Sequence, residues 1–62
     1  MRKNVKDDDV KRTVEFLDSR YAMSQRKDAR PQEVSYYNGA TKAIEALGFH
    51  WYRNEDGYHE IW

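Results

Sequence analysis

The stretch Phe49-His50-Trp51-Tyr52-Arg53-Asn54-Glu55-Asp56-Gly57-Tyr58-His59-Glu60-Ile61-Trp62 decides the fold. From Phe49 the apolar period becomes two, as in a strand whose side chains alternate between faces. Asn54, Asp56 and Gly57 suit the first, third and fourth positions of a type I turn closed by a glycine bulge. The segment therefore reads as an antiparallel hairpin. Counted through that turn, Arg53 pairs with Tyr58, Trp51 with Glu60 and Phe49 with Trp62. One face then carries Phe49, Trp51, Tyr58 and Trp62, and the other carries His50, Tyr52, His59 and Ile61. A rival two-residue turn at Asp56-Gly57 sets Arg53 opposite Glu60 and Trp51 opposite Trp62. Two strands alone are marginal in water, so the aromatic face is expected to lie on helices.

Those helices are legible upstream. Pro31 suits a first helical turn and pushes Arg30 toward an extended conformation. A helix is expected from Pro31 to Leu47, with Val34, Tyr37, Ala40 or Thr41, Ile44 and Leu47 on its apolar face. Gly39 inside it costs about 1 kcal/mol relative to alanine, which close approach of a neighbour offsets unless the glycine is merely exposed. Gly48 is placed to close the helix in a left-handed conformation.

Before the polar segment 24–30, Val10, Val14, Leu17 and Tyr21 recur at helical spacing, and Phe16 widens the stripe. This first helix is expected to begin near Asp7 or Asp8, whose carboxylates can cap the first turn, and to end between Ala22 and Gln25. Residues 1–6 have no apolar periodicity and are expected to fray. The fold class is α+β, with two helices packed on a C-terminal two-stranded hairpin in the order α-α-β-β. Sixty-two residues form one domain.

Composition narrows the function. A chain this short buries a thin core and gains from a disulfide, a metal or a partner chain. There is no cysteine, which removes disulfides and thiolate zinc sites. Six of the nine aromatic residues fall after residue 36, a distribution that serves a core or an interface equally well. Formal charge is zero, yet residues 1–30 carry nine basic and six acidic groups while residues 31–62 carry two and five. A dedicated duplex-DNA binder shows a larger basic excess. No apolar run is long enough to span a membrane, and Asp7-Asp8-Asp9 stands where a signal peptide needs apolar residues. The chain is expected to be cytoplasmic.

No constellation points to catalysis. Ser19, Ser24 and Ser35 lie in no nucleophile elbow, no histidine has an acid at a telling spacing, and Gly39, Gly48 and Gly57 stand alone. The chain reads as non-enzymatic and without a cofactor. No metal site is expected either. His50 and His59 lack a third ligand at a recognised spacing, and the three consecutive aspartates are accounted for by a helix start.

Two surfaces remain. His50, Tyr52, His59 and Ile61 on the outer hairpin face, with Tyr36 on the second helix, form a candidate protein-binding patch, and Trp62 is a further anchor. Unpaired hairpin edges offer strand pairing with a second copy, so a homodimer is one expected partner state. The alternative is a nucleic-acid accessory protein using Arg20, Arg26, Lys27 and Arg30 around the inter-helix segment. Two helices and a hairpin resemble the end of a winged-helix domain, with the hairpin as wing. That resemblance implies a basic recognition helix, whereas the second helix opens on Pro31-Gln32-Glu33 and carries only Lys42.

Overall fold

The computed structural model describes residues 6–62. Two helices, α1 (Asp7–Ser24) and α2 (Pro31–Ala46), precede two strands, β1 (Trp51–Arg53) and β2 (His59–Ile61). The strands pair antiparallel. Helix α1 packs on α2 and on β2, and α2 packs on β1. The architecture is the expected α-α-β-β unit. Of the six residues expected to fray, 1–5 lie outside the described residues, and Lys6 is the extended residue that precedes α1.

The helix ends follow local chemistry. Asp7, Asp8 and Asp9 occupy the first turn of α1 rather than the capping position, and Lys6 provides no side-chain cap. Their contribution is charge at the positive end of the helix dipole. Asp9 also takes an ion pair from Arg12 at 2.9 Å. Pro31 opens α2 behind an extended Arg30. Gly48, at φ 95°, ends it in the left-handed conformation.

Leu17, Tyr37 and Ile44 form the buried apolar centre, with Tyr21, Ala40, Phe49 and Ile61 packed around it. Leu17 is 0% exposed. Both apolar stripes thus meet in their middles. Val34 and Leu47, toward the two ends of the second stripe, are exposed, and so is Phe16 beside the first.

The hairpin register corrects both expected pairings. Trp51 lies opposite Ile61, Tyr52 opposite Glu60 and Arg53 opposite His59. The turn type is the expected one. Gly57 N–H donates to Asn54 O at 3.1 Å, and Gly57 has φ 90°. Asn54 N–H donates to Tyr58 O at 2.9 Å, while Asn54 Oδ1 accepts from the N–H groups of Asp56 and Tyr58. Asn54 and Tyr58 are therefore the closing pair, and Glu55-Asp56-Gly57 form the loop. A shift of one residue turns every side chain of a strand over. His59 and Ile61 consequently face the helices, and Tyr58 and Trp62 face away.

The glycines separate by environment. A Cβ at Gly39 would meet nothing within 4 Å, so Gly39 serves no close approach. A Cβ at Gly57 would lie 3.1 Å from the Tyr21 ring. Replacing Gly39 with Ala is predicted to stabilise by about 0.5–1 kcal/mol, raising Tm by roughly 2–8 °C. Gly57→Ala should cost about 1–2 kcal/mol through its left-handed backbone. Thermal melts of the two variants check both signs.

Candidate functional site

His59 links the hairpin to both helices. Strand β2 carries it into the space between the helices, where its side chain is 0% exposed. Its Nδ1 lies 2.8 Å from Asp18 Oδ1 on α1, and the same oxygen accepts its backbone N–H at 2.8 Å. Its Nε2 lies 2.7 Å from Tyr37 Oη on α2. Arg53 Nη1 on β1 donates to Tyr37 Oη at 3.1 Å. A chain of polar contacts thus joins all four elements: Arg53, Tyr37, His59, Asp18.

For a neutral imidazole one arrangement of protons satisfies every link. Arg53 donates to Tyr37 Oη, the Tyr37 hydroxyl donates to His59 Nε2, and His59 Nδ1–H donates to Asp18. The tautomer follows from the bonding pattern, since Arg53 can only donate and an ionised Asp18 can only accept. Rings enclose the chain. Tyr21 lies 5.2 Å from Tyr37, and Trp51 stacks on His59 at 5.9 Å and 29°. Arg53 sits over the Tyr21 ring at 4.3 Å, a cation–π contact. The hydrogen bond that Arg53 donates to Tyr37 holds the guanidinium above its ordinary pKa, against the opposing effect of burial. Arg53 stays cationic wherever the protein is folded.

The histidine–carboxylate–tyrosine order resembles a proton relay, but burial decides its role. No ring nitrogen of His59 reaches solvent, and each is already bonded, so no substrate can touch it. The chain positions the hairpin. Among the described residues, no group of three His, Asp or Glu is gathered around a metal-sized space.

The sequence-derived patch divides between two faces. His59 and Ile61 pack inward, which corrects their assignment to the outer surface. His50 and Tyr52 do lie outside, joined there by Tyr58, Glu60 and Trp62. Tyr52 is 53% exposed, Tyr58 62% and Trp62 59%. The His50 imidazole stacks on the Trp62 indole at 5.8 Å and 24°. Tyr36 is remote from this face. It lies on α2 beside Phe16, with Arg20 4.0 Å above its ring.

The basic group divides as well. Arg20 pairs with Glu33 at 3.2 Å, with both side chains largely covered, and Arg26 pairs with Asp28 at 3.4 Å. Arg20 Nε is buried without a hydrogen-bond partner, so the Tyr36 ring face is what accompanies it. Lys27 and Arg30 are exposed.

The Asp18–His59 pair is absent from the expected sites because 41 residues separate its members. A hint was nevertheless present: Asp18 directly follows Leu17, so it borders the apolar stripe. No protein-family model, curated protein or solved structure matches this chain.

Replacing Asp18 with Ala strands two buried N–H donors, and Tyr37→Phe strands His59 Nε2. Each is predicted to cost about 1–3 kcal/mol, a large share of the roughly 3–9 kcal/mol expected for a chain of this size. The double variant should cost measurably less than the sum, because both act on one network. Urea denaturation of the four proteins of this cycle checks it.

Proposed function

We propose that this chain is a non-enzymatic, cytoplasmic accessory module that binds another protein through the outer face of its hairpin. The contact residues in this reading are Tyr52, Tyr58 and Trp62, with His50 and Glu60 beside them. The observation that carries it is the exposure of three large rings on one face of the hairpin, while among the described residues only Leu17, Tyr37 and Ile44 form the buried apolar core. Tyr and Trp supply large contact area at low entropic cost and dominate binding hot spots. A tiny fold that leaves them in water while its core is thin has a surface suited to a partner.

Two further observations support the choice. The imidazole at the centre of the Arg53–Tyr37–His59–Asp18 chain is fully covered, which supports a structural role for it. Two of the four candidate phosphate-binding cations are already paired with carboxylates, which weakens the nucleic-acid alternative. Among the described residues, no helix is long and apolar enough to cross a membrane.

The test is capture from native cell extract on immobilised wild-type protein, Tyr52→Ala, Tyr58→Ala and the doubly reversed Lys27→Glu/Arg30→Glu. The expected result is a protein partner retained at high salt and held at least about tenfold more weakly by both tyrosine variants. Circular dichroism confirms that these variants keep their fold, since both rings are exposed. Capture that fails at high salt, disappears on nuclease treatment and is lost in the charge-reversed protein would contradict the reading in favour of nucleic acid. Sedimentation of the wild-type protein and Tyr52→Ala shows whether the partner is a second copy.

A further inference from the structure

At the open end of the hairpin, Glu45, Phe49, His50, Trp51 and Trp62 line a recess of about 390 Å³. The two indoles come from opposite arms of the hairpin, and both line the recess. Trp51 is braced by His59 on the inner side, and Trp62 by His50 on the outer side. Both rings are therefore held by stacking before any ligand arrives. Glu45, one turn from the end of α2, accepts the Trp51 indole N–H on Oε2 at 2.7 Å. That bond aims a carboxylate at the same recess.

Aromatic ring faces together with a fixed carboxylate recognise organic cations. The ring quadrupole attracts positive charge, and the carboxylate adds a direct ion pair. Residues 31–62 carry two bases. Of those bases, Arg53 is tied inward to Tyr37. Lys42 stands 3.7 Å from Glu45 Oε1 with its side chain 80% exposed, a solvated pair of the kind worth little. Glu60 adds a further negative group on the outer face.

We infer that this recess takes an alkylammonium side chain, a lysine or its methylated forms, presented by the protein that docks on the hairpin. This rests on the outer face being a partner surface and names the chemistry of that partner. The rings supply the box, Glu45 supplies the counter-charge, and Tyr52 and Tyr58 extend the contact along the sheet.

The test needs no partner. The chain has two tryptophans, so the ¹H–¹⁵N spectrum carries two indole signals, both reporting on the recess. The probes are N-acetyl-lysine methylamide, its trimethylammonium form and the neutral norleucine analogue. The expected result is saturable movement of both indole signals by the two cationic probes, with Kd on the order of millimolar. The norleucine analogue should bind at least about fivefold more weakly. Glu45→Gln, whose amide oxygen still accepts the Trp51 N–H, should weaken the cationic probes about five- to tenfold and leave the neutral one unchanged. Trp62→Ala should remove saturable binding. Its fold is checked by the remaining amide dispersion, and Glu45→Gln decides the matter if that variant fails to fold. Equal binding of neutral and cationic probes, indifference to Glu45→Gln, or no saturable shift would overturn the inference. In those cases the protein-binding reading still stands if Tyr52→Ala loses a captured partner. Cation binding with no protein partner for the tyrosine face would overturn it as well, leaving a site for a free small cation.

Discussion

A buried imidazole is expensive unless both its nitrogens are bonded, and His59 meets that requirement by drawing on two different helices. Asp18 supplies the acceptor from α1 and Tyr37 the donor from α2. Because Asp18 also takes the backbone N–H of His59, the same carboxylate fixes both the side chain and the strand that carries it. Apolar contacts around Leu17 hold the layers together, but they are non-directional and tolerate sliding. The polar chain does not. It has one alignment in which every buried group is paired, and any other leaves a donor or acceptor in a dry space.

That constraint accounts for the register and, through it, for the surface. With His59 inward, alternation places Ile61 inward and Tyr58, Glu60 and Trp62 outward. Arg53, opposite His59, turns inward too and ends on Tyr37 and over Tyr21. The outer face is left with rings and Glu60 and without an arginine. The same pairing brings Trp62 level with His50, whose backbone exchanges two hydrogen bonds with it. The recess at the hairpin's open end is a consequence of this alignment.

Most of the scaffold was readable from local signals. Pro31, the helical spacing of Leu17 with Tyr21 and of Tyr37 with Ile44, and the left-handed Gly48 all act within a few residues. The turn was readable in type but not in phase. Its bulge adds one residue to the loop, and strand pairing depends on parity, so a single miscounted position moved His59 and Ile61 to the wrong side. The polar chain through His59 was not readable at all, because Asp18 looks like any acid on a helix until β2 is brought beside it. Of the outer patch, His50 and Tyr52 were placed correctly. Tyr36 belongs to a separate Arg20–Phe16 cluster.

The central claim is that His59 is locked between Asp18 and Tyr37 and that the hairpin is aligned by that lock. Long-range ¹H–¹⁵N correlation of the His59 ring reads this directly. The account predicts a proton on Nδ1 that exchanges with water far more slowly than any ring proton of His50. A ring whose proton sits on Nε2 alone, or exchanges as rapidly as that of His50, would contradict it.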